Sequence, residues 1–288
     1  MLKKRWLTLF VLLLFLLSSG TVLAANQVFE DVADGHWAVK DIARMKAKGL
    51  VNGVSATSFA PSSPVTLEQL VVMLVRALDV KSGTVVTIPT SYTQRNNVSD
   101  YAISAMAYAV KEGVISDELL QSNPKEAVKR HEVAVLVGRA MGLTSEAEGK
   151  KYQTLDYQDA TAIPLAARGY VALMQDKGIM GGSDDGNFNP NSSLTRAEFA
   201  TILNRIDSQL NRLTSQTLLG EMFSLSVSSS SITIKDKSGS SQMIALADDP
   251  MIFKNDKVSS LINLTSGATV EIIKDAQNKA VYIAEGQF

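Results

Sequence analysis

Two arginines, Arg196 and Arg130, are the residues of this chain best suited to binding chemistry, and each sits at a predicted helix start. Thr195 and Glu198 form a capping box, in which each side chain satisfies a backbone N–H of the first turn. That accounts for both of them and leaves Arg196 unexplained. A cation in the first turn opposes the helix macrodipole, so Arg196 is a candidate ligand group rather than only a solvated charge. The phrase recurs twice. Lys129-Arg130-His131-Glu132 keeps the arginine and loses the capping threonine. Thr66-Leu67-Glu68-Gln69 keeps the box and has leucine in place of the arginine. Arg130 is thus a second candidate, and the Leu67 copy reads as structural.

Catalytic and metal chemistry find little support. His36 and His131 are the only histidines, and they lack HxxxH or HExxH spacing, so no zinc site is implied. Ser183-Asp184-Asp185-Gly186-Asn187 lacks the alternating acids and terminal Glu of a calcium loop and reads as a turn. Ser228 to Ser231 is a polar turn. No nucleophile elbow, P-loop or dinucleotide fingerprint is present, and no cofactor is implied.

The elements that would position the arginines repeat. Gly49, Gly113 and Gly178 lie 64 and 65 residues apart, and each ends a stretch of helical spacing, as a C-terminal glycine does. Gly49 is followed by Asn52-Gly53 and Phe59-Ala60-Pro61, and Gly178 by Gly181-Gly182 and Phe188-Asn189-Pro190. The middle copy keeps only Pro124. A second helix follows each time, with apolar stripes through Leu67, Leu70, Val71 and Leu74, through Val133, Leu136 and Val137, and through Phe199, Ile202, Leu203 and Ile206. Three units result, at 28–79, 98–143 and 157–210, joined by polar connectors at 80–97 and 142–156.

From about Phe223 the period changes from helical to two. Ser224–Val227, Ser231–Lys235, Gln242–Leu246, Thr269–Ile273 and Val281–Ala284 read as strands, with hairpin turns at 237–239 and 276–279. Residues 217–288 are predicted to form a small β-domain, a barrel or sandwich of five or six strands. Its acids, among them Asp248, Asp249, Asp256 and Glu271, read as scattered solvated charges on turns and exposed strand positions. Glu271 and Asp275 are the one pair that could meet.

The first residues carry Lys3, Lys4 and Arg5, then an apolar run from Trp6 to Leu17, then small residues up to Ala24. This predicts a cleaved signal peptide over 1–24 and no retained membrane span. Its removal would take the formal charge from −1 to −4, an acidity that argues against nucleic acid as partner. Without cysteine there is no disulfide and no lipid-modified cysteine, and the C-terminal residues show no anchor. An exported chain that stays at a cell surface would then be held there non-covalently.

The repeated phrases resemble the S-layer homology (SLH) domain family. Phe29-Glu30-Asp31 with Trp37 matches its opening Phe-x-Asp and Trp; Val98-Ser99-Asp100 with Tyr101, and Tyr157-Gln158-Asp159 with Ala166, keep the Asp but lack the Trp; and Thr195-Arg196-Ala197-Glu198 matches its closing motif. The resemblance covers about residues 28–210. It implies an α+β multidomain protein: a mainly α, pseudo-threefold domain with a three-helix-bundle core and three prongs, followed by the β-domain. It further implies binding of a secondary cell-wall polysaccharide linked to peptidoglycan in Gram-positive bacteria, often through a pyruvylated sugar. The motif arginine would meet the anion, because a guanidinium forks onto a carboxylate. The Asp, Trp and Gly positions would assist. On this reading the site residues are Arg196, Gly182, Asp159, Arg130, Asp100, Asp31, Trp37 and Gly53. The three aspartates could equally cap the first helices. Trp37 reads as packed unless grooves share residues between repeats. Only unit three keeps both arginine and turn, which predicts one good groove and at most a second, weak one rather than three.

The preferred function is non-covalent, non-catalytic surface anchoring that displays the β-domain. The alternatives are a wall-targeted hydrolase with its active site in 217–288, and degenerate repeats that serve self-association or assembly with surface-protein partners.

Overall fold

A computed structural model describes residues 28–79, 87–210 and 216–287. The expected leader at 1–24, and 80–86 of the first connector, lie outside the described residues. Among these there are seven α-helices: α1 Val39–Ala47, α2 Leu67–Ala77, α3 Ile103–Lys111, α4 Arg130–Ala140, α5 Thr144–Gly149, α6 Leu165–Asp176 and α7 Arg196–Leu210. Helices α1, α3 and α6 each run into their landmark glycine, which takes the left-handed conformation that ends a helix without a Cβ clash (φ +71°, +69° and +64°). The predicted stripes of α2, α4 and α7 are buried in a common core. No described helix is long and apolar enough to cross a membrane.

One connector is not a plain loop. Residues 144–149 form α5, too short and too polar to show a stripe, and it lies against α6 at Gly169. A Cβ there would stand 1.8 Å from the Ala147 carbonyl oxygen. Gly169→Ala is therefore expected to destabilise the chain by about 1–3 kcal/mol through overpacking against backbone that cannot rotate away. A urea midpoint equal to wild type would show that α5 can shift at no cost.

Six strands follow: β1 Thr217–Ser226, β2 Ser231–Lys235, β3 Ser241–Lys254, β4 Lys257–Val258, β5 Thr269–Lys274 and β6 Ala280–Glu285. Five close into a barrel in the order β2-β1-β5-β6-β3, with β3 returning to pair with β2 and β4 appended to β3. The β3–β6 pairing is parallel and the others are antiparallel. The fold is thus mixed α+β, and the predicted β-domain is a barrel. Strand alternation sends Ile232, Ile234, Ile244, Val270 and Ile272 to its interior. The opposite side of β5 and β6, with Ile273, Tyr282 and Ala284, joins Phe253 in the core of the helical part.

This docking overturns the reading of Glu271 as solvated, whereas Asp248, Asp249 and Asp256 are exposed as expected. Glu271 is buried and takes a forked pair from Arg44 of α1, with Nε to Oε2 at 2.9 Å and Nη2 to Oε1 at 2.8 Å. Arg44 Nη1 donates to Asp207 of α7 at 2.8 Å, and Lys48 donates to the same carboxylate oxygen at 2.6 Å. Burial alone would pull the Arg44 pKa down, but Glu271 and Asp207 outweigh it and raise it. Asp275 does not meet Glu271; its carboxylate accepts the N–H groups of Gln277 and Lys279 and shapes the last hairpin turn.

Candidate functional site

The three copies of the repeated phrase meet in a closed ring. Val65 N–H donates to Leu194 O at 2.9 Å, Leu194 N–H to Val128 O at 3.3 Å, and Val128 N–H to Val65 O at 3.1 Å. Isolated β-bridges Pro64–Thr195, Thr66–Ala127 and Lys129–Ser193 accompany them. Immediately after the ring each chain turns into a helix, whose first N–H groups have no partner within the helix. A neighbouring unit supplies one. Leu67 and Glu68 donate to Glu126 O and Pro124 O, Arg130 and His131 to Ser192 O and Pro190 O, and Arg196 and Ala197 to Ser63 O and Pro61 O, all at 2.9–3.2 Å. The capping boxes form at Thr66/Gln69 and Thr195/Glu198. At Lys129 only the half in which Glu132 accepts the Lys129 N–H survives.

This stacking delivers each first-turn side chain to another unit's turn. Arg196 of unit three lies in unit one, 4 % exposed. Its Nε donates to Phe59 O at 2.7 Å, its Nη2 to Asn52 O at 2.8 Å, and its guanidinium sits 4.5 Å from the centre of the Phe59 ring. Arg130 of unit two reaches unit three: Nη2 donates to Gly181 O at 2.7 Å, Nη1 contacts Glu198 at 3.4 Å, and the guanidinium lies 5.3 Å from the Phe188 ring. Its Nε is buried without a partner. Burial pulls both arginine pKa values down from the ordinary value, opposed at Arg130 by Glu198. Leu67 occupies the corresponding position toward unit two. The arginine and the turn it serves therefore belong to different units rather than to one, and two such combinations exist, Arg196 with the turn of unit one and Arg130 with the turn of unit three.

The Arg196 combination opens into a cleft of about 360 Å³, lined among others by Asn52, Gly53, Gln69, Arg76, Tyr101 and Arg196, with no carboxylate in its wall. Tyr101, 57 % exposed, donates its hydroxyl to the buried Glu68 at 3.0 Å. Burial and that carboxylate push its phenol up to about 12. The corresponding cleft of unit two, about 240 Å³, is different. Glu118, Glu132 and Glu148 line it beside Arg139 and Lys151.

Residues 28–71 and 156–200 match the S-layer homology domain. These are the two stretches that contain a Phe-x-Pro turn. The chain is also 25% identical over 178 residues to an amylopullulanase of Thermoanaerobacterium thermosulfurigenes, covering 62% of this chain and 9% of that protein. It is 26% identical over 192 residues to an exoglucanase of Acetivibrio thermocellus, covering 67% and 17%. To the cellulosome-anchoring protein of Acetivibrio thermocellus it is 29% identical over 90 residues, covering 31% and 20%. The chain thus spans a fifth or less of the length of these relatives.

Within the SLH-matched stretches the aspartates do not cap helices. The N-cap of α1 is Ala38, with no side-chain cap hydrogen bond, and the Val39 N–H donates to His36 O. The Asp31 carboxylate accepts Ser58 Oγ–H at 2.6 Å and the N–H groups of Phe59 and Ala60 at 2.7 Å each. Asp159 likewise accepts the N–H groups of Phe188 and Asn189 at 2.8 Å. Each holds a turn whose middle residue has positive φ, Ala60 at +57° and Asn189 at +59°. Slight burial would raise the Asp31 pKa, but these donors prevail and hold it below the usual carboxylate range. Asp100, in the unit without a Phe-x-Pro turn, is exposed and has no side-chain hydrogen bond among the described residues. Gly53 and Gly182 are required by packing: a Cβ at Gly53 would stand 2.3 Å and 2.5 Å from the Ser55 and Ser58 carbonyl oxygens, and one at Gly182 would stand 2.8 Å from the Tyr157 ring and 2.9 Å from the Asn187 carbonyl oxygen. Trp37 is not packed into the bundle: it is 65 % exposed and stacks on His36 at 5.5 Å. The Ser183–Asn187 segment is a turn, with Asp185 accepting from Ser183 Oγ and Asn187 N, and no group that could hold a metal ion occurs among the described residues.

Sequence reasoning passed over Arg76. It stands ten residues after Thr66, as Arg139 does after Lys129 and Arg205 after Thr195. That recurrence was the available signal.

Proposed function

We propose that this protein is a non-catalytic anchor that holds itself to a cell surface by binding an anionic secondary cell-wall polymer, a pyruvylated sugar chain, in clefts between three SLH-type repeats. The repeats are 28–79, 98–143 and 157–210, arranged about a pseudo-threefold axis with α2, α4 and α7 as a central three-helix bundle. The observation that carries the reading is the cleft beside Arg196, whose lining includes the side chains of Arg76 and Arg196 and no carboxylate. A carboxylate-bearing sugar is the ligand class that complements such a surface. The SLH matches and the similarity to a protein named for anchoring support the surface role. The commitment of Glu271 to Arg44, of Asp256 to Lys40 and of Asp275 to its own turn supports a barrel that is carried rather than catalytic.

The test is retention of the purified protein on wall sacculi before and after the pyruvylated polymer is removed. Retention is expected to fall at least about tenfold on stripped walls, the loss of one charge-assisted contact or more. Undiminished retention would exclude the polymer as ligand. Hydrolysis of peptidoglycan by the protein would reinstate the enzymatic alternative.

A further inference from the structure

Resting on that reading, we infer that in the cleft beside Arg196 the ligand's anion is met by Arg76, and that Arg196 is a positioning residue. The motif arginine is poorly placed to receive an anion. It is 4 % exposed, its Nε and Nη2 hold the carbonyls of Phe59 and Asn52, and its Nη1 lies 3.4 Å from the Gln69 amide oxygen. An incoming carboxylate would have to pull it from two backbone acceptors. Arg76 is exposed and lines the same cleft. With the Asn52 amide turned so that its nitrogen donates to Val51 O, its oxygen accepts one N–H of Arg76 at 3.0 Å. This aims the guanidinium while leaving the rest of its donor fork open. Asn52 therefore links the two arginines, receiving Arg196 on its main chain and Arg76 on its side chain.

The rest of the wall suits a sugar. The Tyr101 hydroxyl donates to Glu68, so its oxygen can accept from a sugar hydroxyl, and its exposed ring offers a face. The matching arginines of the other units are differently placed. Arg139 donates to Gly113 O in a cleft that carries three glutamates, and Arg205 donates to Ile179 O. Only at Arg76 does the last-turn arginine join a second arginine in a carboxylate-free cleft among those described.

The experiment measures retention of the full chain on intact and polymer-stripped sacculi for wild type, Arg76→Gln, Arg76→Lys and Arg139→Gln, with thermal midpoints for each. Arg76→Gln is expected to lose about tenfold or more in affinity, with an unchanged midpoint and a weaker dependence on salt. Arg76→Lys should recover part of the loss, because the charge returns without the fork. Arg139→Gln should bind as wild type. Inorganic phosphate added as competitor separates a general anion site, which it would displace, from a carboxylated-sugar site, which it would not. Polymer-dependent binding that survives Arg76→Gln overturns the assignment and leaves the proposed function standing. Wild-type binding indifferent to stripping overturns both.

Discussion

Replacing Glu271 with alanine is expected to lower the unfolding free energy by about 3–5 kcal/mol, because it leaves the Arg44 guanidinium buried without its forked partner. Glu271 is 3 % exposed, and the Arg44 side chain is 13 % exposed. The pair joins α1 to β5, and Asp207 and Lys48 extend it into α7. Water cannot replace the lost carboxylate without opening the packing of Tyr282, Ile273 and Phe253 against the helices. A neutral replacement of both members, Arg44→Met with Glu271→Leu, should recover most of the loss, since apolar packing offsets the missing attraction and removes the desolvation penalty. Urea denaturation of the two single variants and the double variant would decide it. A loss below about 1 kcal/mol for Glu271→Ala, the range of exposed pairs, would mean that the barrel and the helical part are not coupled through this network. Added salt should change the result little, because screening acts on exposed charges.

Arg196→Met is expected to cost about 2–4 kcal/mol and to reduce polymer retention as well. The carbonyls of Phe59 and Asn52 lose their donor, at about 1–3 kcal/mol for each buried acceptor left unpaired. The stacking on Phe59 goes with them. Some rehydration of Asn52 through the open cleft keeps the sum below the maximum. Arg130→Met provides the contrast. Arg130 holds one carbonyl at short distance and already has a buried N–H without a partner, so its loss should cost about 1 kcal/mol. Equal losses in parallel chemical denaturation would contradict the division between a stitching arginine and a loosely committed one. Polymer binding unaffected by Arg196→Met, with the fold destabilised, would make Arg196 purely structural.

The helices of the repeated units were legible because their signals are local. Glycines 49, 113 and 178 end helices by conformation, Thr66 and Thr195 begin them by capping, and the apolar stripes choose the buried face. The strands were legible for the same reason: alternation over Ser231–Lys235 needs no distant information. Helix α5 was missed because six residues of Thr-Ser-Glu-Ala-Glu-Gly carry no periodicity, and its place depends on the missing Cβ of Gly169. Along the sequence Glu68 reads as part of a capping phrase. In the fold it is a buried acceptor for Ser99 and Tyr101 of the next unit. Glu271 looked like any charge on a strand, since nothing near it in sequence announces Arg44.

What the sequence determined by itself is the set of parts: repeated helix pairs, clamped turns, a strand-rich C-terminal region and an arginine that helix-building did not require. The tertiary structure alone decided where that arginine works. Its acceptors lie 137 and 144 residues away along the chain, in a different unit, because the ring through Val65, Val128 and Leu194 passes each helix start to a neighbour's turn. Caps and periodicities act over three or four residues, whereas partners across a closed ring are set by how whole units dock. Arg196 is therefore recognisable in its own motif, and the site it builds is visible only in the assembled fold.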